Sequence, residues 1–184
     1  AHVGNKRDIV LSELGGKANI LEVLKKFGVT IEKHDPKVKE MLSLVEEMEK
    51  EGYGMGTLPA EQYLLKERLE KSVLPLSIQR WEIRSEGGDI EYVECSINAK
   101  VAGMEKAASA HVSGGPIDAA FQAMNELSLP LLKSPLELTN FKVAIVKDHS
   151  EKSAVRVYVE FSYRGETFGT VGVSANILKA SIEA

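Results

Sequence analysis

The sequence predicts an α+β protein in which a helical subdomain is followed by two pseudo-symmetric β-β-β-α units. Three observations support this fold class. Apolar residues recur at helical spacing up to about residue 76, they alternate with polar residues beyond it, and the order of three strands and a helix occurs twice. We therefore expect a helical subdomain over residues 1–76 and a second domain over 77–184, with units at about 77–132 and 136–184.

Three short helices are expected in the first segment. The first covers residues 17–27 and ends at Gly28, the second begins after the N-cap Asp35 and ends at Gly52, and the third runs from about Pro59 to Lys71. The apolar stripe of the second helix consists of Val38, Met41, Leu42, Val45 and Met48. Because short amphipathic helices make a weak core on their own, we expect this segment to pack against another part of the protein.

The first β-β-β-α unit contains the clearest strand. Every second residue from Val93 to Val101 is apolar, and shorter alternating runs surround Trp81 and cover residues 106–112. A helix is expected after Gly114-Gly115-Pro116, with an apolar side formed by Ile117, Ala120, Phe121, Met124 and Leu127. Pro130 and Pro135 end this unit.

The second unit repeats this plan. Alternating runs cover residues 141–145, 155–163 and 168–173, and Arg164-Gly165 forms the turn between the last two. A helix containing Ile177, Leu178 and Ile182 then follows Ser174. An antiparallel sheet with one apolar face needs a cover, which the helix of each unit can supply.

Composition indicates a globular protein of the cytoplasm and disfavours two classes of partner. The chain is 43% hydrophobic and 27% charged, with a net charge of −4 and no basic run, so we expect no nucleic-acid partner. We also expect no membrane partner, because no apolar stretch approaches the roughly 18–20 residues needed to span a bilayer. The single cysteine, Cys95, excludes an internal disulfide, suits a reducing compartment and is expected to be a buried apolar residue.

The sequence offers no catalytic residue and no metal site. The four histidines are far apart, and no pair has the spacing of metal ligands. His111 is expected to be a partly exposed strand residue. Gly114-Gly115-Pro116 lacks the Gly-Lys-Ser/Thr ending of a phosphate loop. Serine or cysteine triads assembled from distant residues stay open, although no nucleophile-elbow pattern supports one.

The two strand-to-helix junctions are the remaining candidates for a binding site. Glycine permits a tight turn there, and the first N–H groups of a helix lack internal partners and attract carboxylates. Two such ends could face one small anionic ligand, with Ile117, Val173 and Ile177 lining an apolar remainder. The alternative is purely structural: Asp118, Ser174 and water cap the helices, and the glycines serve only the turn.

Several segments resemble the α-isopropylmalate synthase and citramalate synthase family. Residues 114–120 and Ala123-Met124-Asn125 are similar to the Gly-x-Gly-Pro-Val-Asp-Ala…Ala-Leu-Asn segment of the family's regulatory domain. Residues 169–181 are similar to its second such segment, Thr-Val-Gly-Val-Ser-x-Asn-Ile-Ile-x-Ala-Ser. The N-terminal Val3-Gly4-Asn5, residues 12–19 and Glu51-Gly52-Tyr53-Gly54 resemble the linker of the citramalate synthase branch. The resemblance covers nearly the whole chain in the correct order.

This resemblance implies that residues 1–76 are a linker and that residues 77–184 are an amino-acid-binding regulatory domain. It implies a branched-chain amino acid as effector, isoleucine first and leucine next, and a homodimer. The effector-binding residues that it implies are Gly115, Pro116, Ile117, Asp118, Ala119, Gly172, Val173, Ser174, Asn176 and Ile177. Replacing Gly172 with a β-branched residue is then expected to abolish binding without unfolding the domain.

The resemblance also implies a catalytic TIM barrel in the same polypeptide, which would use acetyl-CoA, a 2-oxo acid and a divalent metal. No cofactor and no synthase activity are expected of the present chain alone. Two other functions stay open: a dimerisation module of the same enzyme that binds no ligand, and an independent enzyme with its site in the groove between the units.

Overall fold

The computed structural model describes residues 21, 22, 25, 32, 34–53, 59–70, 73–87, 92–146 and 153–184. Apart from Leu21, Glu22 and Lys25, which are helical, the helix predicted over residues 17–27 lies outside the described residues, as does the glycine-rich segment 54–56. No helix within the described ranges is long and apolar enough to cross a membrane.

Two helices of the first segment pack on each other. Helix α1 covers Pro36–Glu51 and helix α2 covers Pro59–Leu69. The ends of α1 are as predicted: the Lys37 N–H donates to the Asp35 carboxylate at 2.8 Å, and Gly52 has a left-handed φ of 100°. The small core between the helices consists of Val38, Met41, Val45, Met48, Leu65 and Leu69, with Tyr53 and three leucines partly buried around it.

The first unit contains a three-stranded antiparallel sheet, called sheet A. Its strands are β1 (Leu76–Glu86), β2 (Tyr92–Val101) and β3 (Met104–Val112), in that order. One face carries the predicted apolar residues, since Trp81 pairs with Ile97 and Ile97 pairs with Ala108. The opposite face is polar and includes His111, which is exposed as predicted. Cys95 is fully buried on the apolar face, where burial raises the pKa of its thiol.

Helix α3 (Pro116–Ser128) covers the apolar face of sheet A. The residues that it buries are Ala119, Ala120, Ala123 and Leu127. Three of these four are alanines, whose small side chains let the helix approach the sheet closely. Ile117, Phe121 and Met124 of the same helix are also partly buried, and Met124 packs against the core of this unit.

The second unit has the predicted order of elements. Sheet B contains β4 (Glu137–Val146), β5 (Ala154–Tyr163) and β6 (Glu166–Ser174), and the short helix α4 (Ile177–Glu183) follows. Helix α4 packs on β5 and β6, which leaves the apolar side chains of the edge strand β4 partly uncovered.

Two details strengthen the pseudo-repeat beyond element order. The first strand of each unit has a register shift at the corresponding place, between Ile78 and Arg80 in β1 and between Leu138 and Asn140 in β4. The hairpins also agree. The turn residues Ala102 and Gly103 have φ of 50° and 81°, and their counterparts Arg164 and Gly165 have 51° and 82°. Both turns therefore have the positive φ pair of a type I′ hairpin.

Sheet B lies between α2 on one face and helices α3 and α4 on the other. Helix α2 packs on β6, and a Cβ added to Gly52 would lie 2.7 Å from Val146 Cγ1 at the end of β4. On the other face of the sheet, Phe121 of α3 lies against Phe161 of β5, and Ile182 of α4 packs on the core of the first unit. The prediction that the helical segment packs against another part of the protein is confirmed.

Candidate functional site

An apolar groove of about 270 Å³ lies where the two units meet. Helix α3 forms one side, sheet B forms the floor and the last turn of α4 forms the other side. The apolar residues that line it include Ile117, Phe121, Met124, Leu138, Phe141, Phe161, Phe168 and Ile182. The polar lining is confined to Asn125, Ser128, Thr170, Ser181 and Glu183 among the described side chains.

Three phenylalanines form an aromatic row along the groove. The ring centroids of Phe121 and Phe161 are 5.9 Å apart, and those of Phe161 and Phe168 are 5.6 Å apart. Such pairs contribute about 0.5–1.5 kcal/mol beyond the burial of their area. The row therefore ties α3 of the first unit to sheet B of the second, and it leaves Phe168 39% exposed at the rim.

Asn125 fixes the loop that connects the units. Its side-chain amide donates to the Leu136 carbonyl and its side-chain oxygen accepts from the Leu136 N–H, both at 2.9 Å. Asn125 and Leu136 also line the groove. This pair of bonds therefore determines how far the start of β4 lies from α3, and with it the width of the groove.

The first predicted junction is a capped helix end beside the groove. The Gly115 N–H donates to the Asp118 carboxylate at 3.1 Å, and Pro116 occupies the first helical position. Ala119 is fully buried against sheet A. Ile117 lines the groove. Its first-turn position brings the N-terminus of α3 next to the apolar lining.

The second predicted junction is capped by Asn176. The Asn176 side chain accepts from the N–H groups of Leu178 and Lys179, at 2.9 and 3.3 Å. The Ser174 hydroxyl accepts from the Asn176 N–H at 3.2 Å and not from an N–H of the helix. The cap of α4 is therefore Asn176, whereas the structural alternative had expected Ser174. Ile177 is 44% exposed. Of the ten predicted effector-binding residues, all of which the structure describes, Ile117 lines the groove and the other nine lie outside its lining.

Gly172 has a packing role that the sequence analysis missed. A Cβ at this position would lie 2.0 Å from the Ala180 carbonyl oxygen and 2.7 Å from the Ala184 nitrogen. Because both atoms are backbone, α4 rests directly on β6 at this glycine. We therefore expect a β-branched residue here to displace α4 and to destabilise the second unit, in addition to the loss of binding predicted from the sequence.

The sequence analysis identified the residues that line the groove as apolar positions of helices and strands, but it did not predict that they form a site. Phe121 and Met124 were assigned to the covering face of their helix, and Phe161 and Phe168 to strands. The available signal was the width of the apolar face of α3, which exceeds what one sheet can cover. Among the described residues, no three His, Cys, Asp or Glu side chains come together to hold a metal ion.

The fold and the groove define a class of protein: a domain of two β-β-β-α units with an apolar groove between them that is large enough for a small ligand. A family model described as the LeuA allosteric (dimerisation) domain matches residues 60–184. The chain belongs to this family, the regulatory domain of citramalate and 2-isopropylmalate synthases.

Individual relatives match residues before position 60 as well, because their similarity covers nearly the whole chain. The chain is 35% identical to the (R)-citramalate synthase of Aquifex aeolicus over 187 residues, covering 97% of this chain and 35% of the relative. It is 27% identical to the (R)-citramalate synthase of Sulfolobus acidocaldarius, covering 99% and 34%, and 27% identical to the probable 2-isopropylmalate synthase of Archaeoglobus fulgidus, covering 99% and 35%. The chain thus spans about a third of the length of these relatives.

Proposed function

We propose that this chain is the linker and effector-binding region of a citramalate synthase, and that isoleucine is its effector. The division into a linker over 1–76 and a regulatory domain over 77–184 is part of this proposal. Similarity to several (R)-citramalate synthases over nearly the whole chain supports it. Leucine is the second choice of effector, since one of the relatives is a probable 2-isopropylmalate synthase.

The observation that carries the proposal is the apolar groove. At about 270 Å³, it exceeds the roughly 150 Å³ of an engineered apolar cavity that holds benzene, so a branched aliphatic side chain fits within it. Burying such a side chain contributes about 1.5–3 kcal/mol. Because the lining between the aromatic row and Ile182 is apolar, the groove favours an aliphatic group over a polar one.

The polar ends of an amino acid also find complementary groups near the groove. The Glu183 carboxylate at the α4 side is a suitable partner for the ammonium group. The first-turn N–H groups of α3, next to Ile117, are suitable for the carboxylate. The Asp118 carboxylate disfavours an effector carboxylate at this position, because like charges repel each other. Its side-chain oxygen also already accepts the hydrogen bond from the Gly115 N–H.

Isothermal titration of the chain with isoleucine and, separately, with leucine tests this function. We expect saturable binding that is tighter for isoleucine. Phe168→Ala removes a lining side chain and is expected to weaken binding about tenfold, the equivalent of about 1.4 kcal/mol. Met104→Ala is the matched control, because Met104 is 60% exposed and lies in the β2–β3 hairpin away from the groove. Absence of binding with both amino acids would overturn the proposal.

A charge test locates the carboxylate of the effector. Asp118→Asn keeps a side-chain oxygen for the Gly115 N–H and removes the negative charge from the start of α3. If the effector carboxylate lies at this helix end, the substitution is expected to tighten binding several-fold, as a like charge nearby disfavours a second carboxylate. Unchanged affinity would place the carboxylate elsewhere.

The second candidate is a dimerisation module without a ligand. It is favoured by an apolar patch on the edge strand β4, where Val143 is 42% exposed and Ile145 is 72% exposed. Such a patch on an edge strand suits a second copy of the chain. Light scattering of Ile145→Glu is expected to show a monomer where the parent is a dimer. A dimer that binds neither amino acid would favour this candidate.

The complete protein is proposed to be a transferase of the cytoplasm. Its catalytic TIM barrel, its acetyl-CoA and 2-oxo-acid substrates and its divalent metal would belong to a part of the polypeptide that the present residues do not include. We expect the present chain to show no synthase activity on its own, and the linker helices to connect the barrel to the regulatory domain.

A further inference from the structure

The side of α3 that lines the groove meets the second unit over successive helical turns. Ile117, Phe121 and Asn125 follow each other at intervals of four residues, and all three line the groove. Residues with this spacing lie one above the other on a helix, so they form one stripe. The stripe runs from the first turn of α3 to its last.

The attachment of this stripe to the second unit differs in kind from one end to the other. At the C-terminal end, Asn125 makes two hydrogen bonds of 2.9 Å with the backbone groups of Leu136. In the middle, the contact is between the rings of Phe121 and Phe161, and Ile182 adds apolar packing on the core of the first unit. Hydrogen bonds are directional, whereas apolar contacts are not and let two surfaces slide. The C-terminal end of α3 is therefore the end that is fixed in direction.

The chain that joins the two units is fastened at this same end. The Ser128 carbonyl accepts from the N–H groups of Leu131 and Leu132, both at 2.9 Å, which folds the start of the connection back on α3. Two prolines restrict the backbone of residues 129–135 further. The covalent connection and the hydrogen-bonded attachment therefore coincide at the Asn125 end of the groove.

The opposite end of the groove lies toward the rim at β6. From Asn125 to Phe121 the stripe crosses from the start of β4 to the middle strand β5. Its continuation by one turn, to Ile117, therefore leads toward the third strand, β6. On β6, Phe168 lines the groove and is 39% exposed. The end between Ile117 and Phe168 is thus open to solvent and furthest from the hydrogen-bonded attachment.

We propose that Asn125 is a positioning residue and the hinge of the groove: α3 turns against sheet B about the Asn125 end, and the groove opens between Ile117 and Phe168. Hinges of this kind consist of a few residues in loops or at the ends of elements. The inference deepens the proposed function and rests on it, because it names where an effector would enter. A ligand stabilises the closed arrangement only by binding it more tightly than the open one.

Distances between spin labels, measured by electron paramagnetic resonance, test the hinge in the full chain. Ser113→Cys with Thr167→Cys forms the open-end pair, and Glu126→Cys with Glu137→Cys forms the hinge-end pair, all at exposed positions. Cys95 is fully buried and is not expected to take up label. Without ligand, we expect the distance distribution of the open-end pair to be about twice as broad as that of the hinge-end pair. Saturating isoleucine is expected to narrow the open-end pair alone.

Substitutions of the hinge residue test its role directly. Asn125→Ala is expected to broaden the hinge-end pair and to weaken isoleucine binding about three- to tenfold, because the ligand must then also order that end. Asn125→Asp keeps an acceptor for the Leu136 N–H and loses the donor, so an intermediate broadening is expected. Thr139→Val is the matched control, because its hydroxyl donates to the Glu160 carbonyl at 3.1 Å within sheet B. Both distributions should then stay as in the parent.

The outcomes separate this inference from the proposed function. The hinge is overturned if both pairs are equally narrow without ligand, or if Asn125→Ala, folded by circular dichroism, leaves the hinge-end pair unchanged. Asn125→Asp decides the same question if Asn125→Ala does not fold. If the distributions agree with the hinge but neither amino acid binds, the hinge stands and the choice of effector fails. If isoleucine binds while the open-end pair is as narrow as the hinge-end pair, the effector site stands and the hinge fails.

Discussion

Gly172→Ala should destabilise the second unit because α4 has no room for a methyl group. The added Cβ would lie 2.0 Å from the Ala180 carbonyl oxygen. Ordinary contact begins near 3.4 Å, so the helix must withdraw by about 1.4 Å, the difference between the two distances. Ala180 is fully buried at this contact, and the obstructing atoms belong to the backbone, which cannot rotate away. Overpacking costs about 1–3 kcal/mol, and we expect the upper part of that range.

Thermal and urea unfolding followed by circular dichroism measure this cost. A loss of about 2–3 kcal/mol should lower the Tm by roughly 4–12 °C for a chain of this size. Gly169→Ala is the matched control on the same strand. Its Cβ would meet the Tyr158 hydroxyl at 2.6 Å, the far end of a side chain that can move aside, so we expect a smaller loss. Equal stability of Gly172→Ala and the parent would refute the close approach of α4 to β6.

Three further predictions concern the connection between the units, the Tyr53 hydroxyl and the two hairpins. Asn125→Ala should lower the free energy of unfolding by about 1–3 kcal/mol, because both Leu136 backbone groups lose their partner; urea unfolding measures this. Burial raises the pKa of Tyr53, so its contribution to stability is complete below the unfolded value of 10.0 and is lost as the pH rises through the folded value; the parent should therefore lose stability above pH 10 relative to Tyr53→Phe. Gly103→Ala and Gly165→Ala should each cost about 1–2 kcal/mol in unfolding experiments, because φ is positive at both and no atom lies within 4 Å of the added Cβ.

A specific result would contradict each of these three predictions. An Asn125→Ala variant as stable as the parent would mean that water replaces the lost partner of Leu136. Parallel stability curves for the parent and Tyr53→Phe above pH 10 would mean that Tyr53 ionises as freely when folded as when unfolded. Clearly different costs at Gly103 and Gly165 would contradict the equivalence of the two hairpins.

Local signals predicted the fold well because they act within a few residues. Asp35 and Gly52 define the ends of α1 through a side-chain cap and a left-handed glycine. Period-two alternation assigned the strands to their faces, as the pairing of Ile97 with Ala108 shows. The Ala102-Gly103 turn was missed, because alanine is not a residue expected at positive φ. Its equivalence to Arg164-Gly165 follows only from the backbone of both hairpins.

The groove was less accessible to sequence reasoning because it is formed between elements from different units. Phe121 and Phe161 are separated by 40 positions in the sequence, and nothing local requires them to meet. The sequence predicted a binding role for the junction glycines because glycine before a helix indicates a tight turn. Gly172 instead permits the close contact between α4 and β6. Ile117 is the one predicted effector-binding residue that the structure places in the groove, since it belongs both to a predicted junction and to the groove lining.

The sequence does contain a signal for where the N-terminal helical segment packs. In sheet A, the outward residues of β3 include Glu105, Ser109 and His111, as expected of a face in water. Residues 169–174 of β6 are instead all small or apolar on both faces, the pattern of a strand covered twice. Helix α4 supplies one cover at Gly172 and α2 supplies the other near Val171. The segment that resembles the family's second regulatory motif thus also contains the strand on which α2 packs. Substitutions there should therefore alter the packing of α2 and the groove together.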